Sequence, residues 1–224
     1  MHNEAMPGKS APLKTQTTAC RKLRRYRAAK RAFDVVSAAA ALGLLWPLML
    51  VIGLFIRLDS EGPARFVHMR CGEDGRAFPL LKFRTMCAGA EAMIPHFTPA
   101  QRAEWEQNFK LNDDPRITRF GRLLRKTSLD ELPQLINVLR GELSIVGPRP
   151  VVAAELERYG ALRETLLSVP PGLTGYWQAY ARSDCSYDQR MAMELYYAGH
   201  ANFLWDLKIV CATFVRVLRR SGAR

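Results

Sequence analysis

The sequence lacks paired cysteines and the common nucleotide-binding loops. Its five cysteines are an odd number, widely spaced, and include no C-x-x-C pair. This argues against a disulfide framework and against a thiolate zinc site, and indicates a reducing compartment. Neither a Walker loop nor a dinucleotide glycine fingerprint is present. A cleavable signal peptide is a poor match, because the basic N-terminal stretch is long and no small-residue cleavage site follows promptly.

The central part of the chain lacks net charge, although the whole protein of 224 residues carries +12. Residues 1–31 hold nine Lys/Arg against one acid, and residues 206–224 hold five against one, whereas residues 32–205 hold nineteen of each sign. A nucleic-acid-binding domain usually carries its basic surface on the folded part, so no nucleic-acid partner is expected. Basic ends favour contact with an acidic membrane surface.

Charge is also missing from residues 35–56, an uninterrupted apolar run of 22 residues. As a helix this run would be about 33 Å long, enough to cross a hydrocarbon core of about 30 Å. Basic residues flank it on both sides, and the positive-inside bias places both flanks on the cytoplasmic side. Pro47 lies near its middle and predicts a kink. We therefore favour a re-entrant helix–break–helix over a straight transmembrane span.

After this run, the spacing of apolar residues and turn signals predicts a mixed, helix-rich α/β domain. Residues 65–86 alternate short apolar runs around Gly-Glu-Asp-Gly, as a β-hairpin would. Helices are predicted over 88–110 (interrupted near its prolines), 119–126, 131–140, 151–168 and 187–220.

The segment KTSLDELPQL, residues 126–135, contains the most informative pair of side chains. Ser128 and Glu131 match a capping box, which would make both acids of the segment purely structural. Pro133 counts against that interpretation, since its ring would meet the carbonyl of Leu129 inside the helix. A helix start nearer Asp130 avoids the clash and leaves two adjacent carboxylates where a phosphate could bind through Mg²⁺.

Basic and acidic side chains in four further motifs are compatible with a site for an anionic substrate. The motifs are KFRTM (82–86), DDPRIT (113–118), VGPRP (146–150) and the loop at 170–184, and each could equally form a surface loop or salt bridge. In VGPRP the two flanking prolines restrict the backbone that presents the guanidinium. The candidate residues are Lys82, Arg84, Asp114, Arg116, Arg149 and Arg182.

These motifs, together with KRAFD (30–34), PGLTGYWQ (171–178) and DLKI (206–209), resemble the motif series of the bacterial sugar transferases. These enzymes are the monotopic polyprenyl-phosphate phosphoglycosyl transferases, and the resemblance covers roughly 29–220. The regions 105–110 and 151–160 are most similar to members that initiate exopolysaccharide repeat units, which usually transfer galactose-1-phosphate or glucose-1-phosphate from a UDP-sugar to undecaprenyl phosphate. The residue pattern predicts a tail over 1–28, disordered and basic, and a membrane helix over 29–58 with its break at Pro47, and the resemblance implies a cytoplasmic catalytic domain over 59–224.

The resemblance also implies roles for the candidate residues. Asp130 would attack the phosphate that bears the sugar and release UMP, and the lipid phosphate would then attack the phosphosugar-enzyme. Glu131 would help Asp130 to hold Mg²⁺ and would position the nucleophile. Arg149 and Arg182 would contact phosphate, and the remaining four would lie near the substrate or support the site; these are Lys82, Arg84, Asp114 and Arg116.

Three departures from the family pattern and two other functions stay open at this point. Trp46-Pro47 replaces Ser-Pro at the membrane break, Tyr176 and Tyr180 stand where smaller residues are commoner, and the tail is too short for the additional spans of larger members. The alternatives are direct glycosyl transfer with release of UDP, and a catalytically inactive membrane assembly protein. The sequence does not give the sugar or the oligomeric state, so a homodimer is an open alternative.

Overall fold

The structure is a computed structural model that describes residues 13–108, 111, 113–181 and 185–218. This part of the chain is a helix-rich α/β arrangement, as the sequence predicts. Its α-helices are α1 (Leu13–Asp59), α2 (Pro99–Asn108), α3 (Arg119–Thr127), α4 (Gln134–Arg140), α5 (Ala153–Leu156), α6 (Arg163–Leu167), α7 (Tyr176–Tyr180), α8 (Tyr187–His200) and α9 (Phe203–Leu218). Its strands are β1 (Arg65–Cys71), β2 (Ala77–Phe83), β3 (Ser144–Val146) and β4 (Gly172–Thr174).

The strands form two small sheets. The predicted hairpin is confirmed: β1 and β2 pair antiparallel, with Arg65 opposite Phe83 and Cys71 opposite Ala77. The connection turns through Asp74 and Gly75, which both have positive φ. The second sheet pairs β3 with β4 in parallel. The loop after β3 carries the VGPRP motif, so this sheet helps to position Arg149.

Several predicted helices are shorter than expected. The stretch 131–140 is helical only from Gln134, and 151–168 divides into α5, a 3₁₀ segment (Glu157–Leu162) and α6. Gly160 has φ +49° inside that segment, which interrupts regular helical geometry. The stretch 88–110 contains a 3₁₀ segment (Ala90–His96) before α2, in agreement with the interruption predicted at its prolines.

The N-terminal part of the chain is one long helix. α1 is helical from Leu13 and passes through Pro47 without an interruption. Residues 13–28, predicted as part of a tail, belong to this helix, and the predicted break in the helix at Pro47 is absent. Proline removes one backbone hydrogen bond, but its fixed φ is compatible with a helix, so Pro47 does not end α1.

Within the described residues, one helix is long and apolar enough to cross a membrane. It covers Leu23–Asp59, and its most apolar 18 residues have a mean hydropathy of 2.4, with only 11% of them buried. Large apolar side chains are exposed along it, including Val36, Leu44, Trp46, Leu50, Leu54 and Leu58. This exposed face is suited to a membrane anchor.

Both ends of the apolar run pack on the same domain. Ala38 is fully buried in a cluster with residues of β2 and α4, and Ile52 and Ile56 are buried in a second cluster with Phe83 and Leu124. None of the residues 43–48 between them is buried. α1 is thus attached to the domain on either side of Pro47, while its middle is exposed.

Candidate active site

The two adjacent carboxylates lie in a short 3₁₀ turn between α3 and α4. Ser128 follows α3 with φ +58°, and its side chain caps no helix, so the capping-box interpretation is wrong. The turn covers Leu129–Glu131, and Pro133 directly precedes the first residue of α4. Placing the proline before the α-helix avoids the clash predicted for an earlier start. Asp130 and Glu131 therefore lie just before α4 rather than inside it.

Glu131 is paired with a lysine from the hairpin. Lys82 Nζ, on β2, donates to Glu131 Oε1 at 2.7 Å. Burial alone would raise the pKa of Glu131, but the charge and hydrogen bond of Lys82, with smaller contributions from Arg149 and Gln134, lower it below its ordinary value. Lys82 thus stabilises Glu131 as a carboxylate.

Asp130 lies in a different environment, although it is the next residue. It is 8% exposed. Burial raises the pKa of Asp130 to about 6, with a further increase from the charge of Glu131, and the charges of Lys82 and Arg125 oppose the increase. A carboxylate with such a pKa is ionised at neutral pH and more basic than an exposed aspartate. Those properties suit a nucleophile.

Arg125 is a site residue that the sequence reasoning missed. It lies in the last turn of α3, where its Nε donates to Thr85 Oγ1 at 2.9 Å, and its charge acts on Asp130. α3 can approach this close because Gly121 lies against the Thr85 carbonyl, where a Cβ atom would clash. The sequence alone does not distinguish Arg125 from the other basic residues of α3. In the structure, the close approach of Gly121 to Thr85 brings α3 near enough for Arg125 to bind Thr85 and for its charge to act on Asp130.

Asp114 and Arg116 form a buried pair with each other. Arg116 Nε and Nη2 donate to the two Asp114 carboxylate oxygens at 2.8 and 2.6 Å. Burial alone would raise the pKa of Asp114, but these hydrogen bonds lower it. The Arg116 guanidinium also lies over the rings of Phe97 and Trp105. Both side chains of this pair are therefore engaged in contacts within the protein.

Arg84 is also engaged within the protein. Its Nη2 donates to the carbonyl of Ser60 at 2.7 Å, and its Nη1 donates to the carbonyl of Glu61. These carbonyls follow the C-terminal end of α1, so Arg84 ties the membrane helix to the hairpin. Lys82 and Arg84 are only two positions apart in the sequence but make different contacts. Lys82 binds Glu131 of the acid pair, whereas Arg84 binds the carbonyls that follow α1.

Arg149 lies in the VGPRP loop, close enough to the acid pair for its charge to act on Glu131. Its charge lowers the pKa of Glu131, and its backbone N–H lies 3.4 Å from Glu194 Oε1 on α8. The loop packs closely on the segment before β4, because Gly147 and Gly172 approach where a side chain would not fit. Arg182, the other predicted phosphate contact, lies outside the described residues.

A buried network joins two motifs for which the sequence suggested no contact. Lys30 Nζ, on α1, donates to Asp206 Oδ2 at 2.9 Å and to the Val146 carbonyl at 2.8 Å. Asp206, at the start of α9, also accepts from the hydroxyls of Tyr26 and Tyr197. Lys30 and Asp206 are both buried, so they do not contribute to the basic surface inferred from the charges of the chain ends.

A divalent cation would find two carboxylates here. No group of three or more His, Cys, Asp or Glu side chains with metal-binding geometry occurs in the part of the chain that the structure describes. Mg²⁺ commonly takes only one or two carboxylates and completes its shell with substrate phosphates and water. Asp130 and Glu131 fit that mode of binding, in which the substrate brings the remaining oxygens.

An acid pair flanked by Lys82, Arg125 and Arg149, on a domain with an apolar helix, is suited to phosphate chemistry at a membrane surface. The family model described as bacterial sugar transferase matches residues 25–220. The chain belongs to the bacterial sugar transferase family.

Among curated relatives, the chain is 45% identical to the undecaprenyl-phosphate galactose phosphotransferase of Salmonella typhimurium and 44% identical to the UDP-galactose-lipid carrier transferase of Erwinia amylovora. Each alignment covers 87% of this chain and 41% of the relative. The chain is also 45% identical to the exopolysaccharide production protein ExoY of Sinorhizobium fredii, with 87% of both proteins covered. The chain thus spans about two fifths of the first two relatives and most of the third.

Proposed function

We propose that this protein transfers a hexose-1-phosphate from a UDP-sugar to undecaprenyl phosphate, the first membrane step in the synthesis of an exopolysaccharide repeat unit. The observation that carries the proposal is the buried Asp130 carboxylate, which is acted on by the charges of Lys82 and Arg125 and adjoins Glu131, the hydrogen-bond partner of Lys82. The names of the Salmonella and Sinorhizobium relatives support the lipid acceptor and the pathway. Galactose is the first sugar to test.

The reaction proceeds in two displacements at Asp130. An Asp130 carboxylate oxygen bonds to the phosphorus that bears the sugar, and the bond from that phosphorus to the UMP oxygen breaks, so UMP leaves with the bonding electrons. An oxygen of undecaprenyl phosphate then bonds to the same phosphorus and displaces the Asp130 carboxylate. The lipid-diphosphate sugar departs and Asp130 is regenerated. An acyl phosphate is reactive enough for the second displacement.

The other residues of the site hold charge around this phosphorus. Lys82 positions Glu131 through its 2.7 Å hydrogen bond, and Arg125 is positioned by Thr85 beside Asp130. The charge of Arg149, in the VGPRP loop, acts on Glu131. When bound by Asp130, Glu131 and the substrate phosphates, Mg²⁺ would neutralise part of the diphosphate charge. We infer that the site faces the cytoplasm at the inner membrane, where UDP-sugars are made.

The released nucleotide tests this proposal. The purified enzyme is mixed with UDP-galactose carrying ³²P in the sugar-linked phosphate, first without lipid. We expect a burst of UMP equal to the enzyme concentration and an equal amount of ³²P on the protein, which undecaprenyl phosphate then removes. Asp130→Asn should give neither.

Two results would contradict the covalent mechanism. Release of UDP on adding lipid, without label on the protein, would indicate direct glycosyl transfer. A complete absence of nucleotide release with a panel of UDP-sugars and lipid would indicate an inactive assembly protein.

A further inference from the structure

A second group of polar side chains lies beyond Arg149, outside the acid pair. Arg70, on β1, donates from Nη1 to the Pro150 carbonyl at 3.3 Å and lies 3.5 Å from Glu155 Oε2. Arg190, on α8, donates from Nε to Glu194 Oε1 at 3.2 Å. The Arg190 guanidinium lies 5.2 Å from the ring centroids of both Trp177 and Tyr187.

Four buried polar atoms in this group have no hydrogen-bond partner among the described residues. They are Arg70 Nε, Trp177 Nε1, the Tyr187 hydroxyl and Arg190 Nη2. Arg190 is only 8% exposed as a whole residue. Each buried donor left unpaired costs about 1–3 kcal/mol, so four of them in one cluster are not expected from packing alone. A bound group that accepts hydrogen bonds would account for all four.

The charges of the cluster define the group that it would accept. The cluster contains two glutamates, Glu155 and Glu194, and more arginines than acids: Arg70, Arg149, Arg190 and Arg158, whose guanidinium lies over the Tyr187 ring. The pKa of Arg70 is lowered to about 10, mainly by burial and then by the charge of Arg149. Donors without acceptors, in a positive environment, favour an oxyanion with several acceptor oxygens, and phosphate is such a group.

The cluster is continuous with the acid pair. The Arg149 charge acts on Glu131 on one side and on Arg70 on the other. The proposed donor carries two phosphates, of which only one reacts with Asp130, and the acceptor carries one more. A phosphate beside the reacting one would therefore need its own contacts.

We propose that Arg70, Trp177, Tyr187 and Arg190 form a second phosphate subsite, which binds a phosphate that does not react with Asp130. This inference rests on the proposed function, because it assumes a substrate with a further phosphate. The phosphate belongs either to the UMP half of the donor or to the polyprenyl phosphate, and the two sources are separable by experiment.

Trp177→Phe and Tyr187→Phe each remove one unpaired donor and keep an aromatic ring under Arg190. The binding of UMP and of a short-chain polyprenyl phosphate is measured separately by calorimetry for the purified wild-type protein and for each variant. We expect affinity for one or both ligands to fall about five- to tenfold in each variant. The thermal midpoint without ligand should stay equal or rise, because an unpaired buried donor has been removed. Tyr180→Phe, at an exposed tyrosine of α7, is the matched control and should change neither.

The ligand that loses affinity identifies the source of the phosphate: UMP indicates the donor and polyprenyl phosphate indicates the acceptor. Unchanged affinities in both variants would overturn the subsite. Turnover of UDP-galactose with undecaprenyl phosphate by the wild-type protein is measured alongside. Normal turnover with unchanged binding in the variants would overturn only the subsite, whereas no turnover and no binding by the wild-type protein would overturn both proposals.

Discussion

At the scale of single residues, folding shifts the pKa values of the adjacent Asp130 and Glu131 in opposite directions. Burial raises the pKa of Asp130 to about 6, whereas the contacts of Glu131 with Lys82 lower its pKa. The folded protein therefore binds a proton on Asp130 more tightly than the unfolded chain does, and it binds a proton on Glu131 less tightly. Ionised Asp130 weakens folding at neutral pH, and ionised Glu131 stabilises it.

We therefore expect two neighbouring substitutions to change stability in opposite directions. Asp130→Asn removes the cost of ionising a buried carboxylate, which is on the order of 2–3 kcal/mol at pH 7 for the pKa difference given above. Glu131→Gln removes a stabilising charge and should lower stability. Both variants should lose turnover. Thermal unfolding in nanodiscs at pH 7 measures the shifts, and equal destabilisation of both variants would contradict the assigned environments.

The raised pKa of Asp130 also predicts the pH dependence of the first chemical step. Only the carboxylate attacks phosphorus, so the rate of UMP release should fall with decreasing pH as Asp130 becomes protonated. Bound Mg²⁺ would lower the pKa of Asp130, so the fall should begin at or below about pH 6. The measurement uses a single turnover without lipid, since the second ionisation of a phosphate monoester also lies near pH 6. A rate that stays constant down to pH 4.5 would show that Asp130 is not the group that titrates.

At the scale of elements, the sequence predicted those parts whose signals are local. The β1–β2 hairpin follows from alternation around Gly-Glu-Asp-Gly, and the position of the acid pair follows from Pro133. The buried ion pair between Lys30 of α1 and Asp206 of α9 could not be predicted in this way, because the two residues are 176 positions apart in the sequence. In the sequence Lys30 is one of nine basic residues at the N-terminus, and only folding shows that it is buried.

The buried contact between Lys30 and Asp206 predicts that replacing Lys30 lowers stability strongly, and that also replacing Asp206 restores part of it. Lys30→Met leaves the Asp206 carboxylate buried without its cation, which should cost about 3–5 kcal/mol. Lys30→Met with Asp206→Leu removes both charges and should recover part of the loss, though Tyr26 and Tyr197 lose their acceptor. Arg27→Met is the control: its pair with Glu73 is exposed, so the change should stay below about 1 kcal/mol. Denaturant unfolding measures all three, and an unchanged Lys30→Met variant would contradict the assigned role.

At the scale of the whole molecule, the relation of α1 to the membrane follows from where the helix touches the domain. Ala38 on one side of Pro47, and Ile52 and Ile56 on the other, are buried against the same domain. A straight span perpendicular to the bilayer would carry one of these contacts across the hydrocarbon core, where a polar domain cannot follow. A shallow insertion, with the exposed residues 43–48 deepest, keeps both contacts on one side. The basic N-terminal segment favours the same placement.

The last prediction tests this topology with single cysteines on either side of the apolar run, after replacement of the five native cysteines. One replaces Lys14 and the other replaces Glu61; the adjacent Gly62 is unsuitable, because its φ is +106° and a Cβ atom would meet the Arg84 guanidinium. We expect neither cysteine to react with a membrane-impermeant thiol reagent in intact cells, and both to react once the membrane is permeabilised. Labelling of the Lys14 position alone in intact cells would establish a straight span. Pro47→Leu should increase that labelling if the proline keeps the insertion shallow, with Leu48→Ala as the control at the next residue. Unchanged protection in Pro47→Leu would instead assign the topology to the flanking charges and to the contacts of Ala38, Ile52 and Ile56 with the domain.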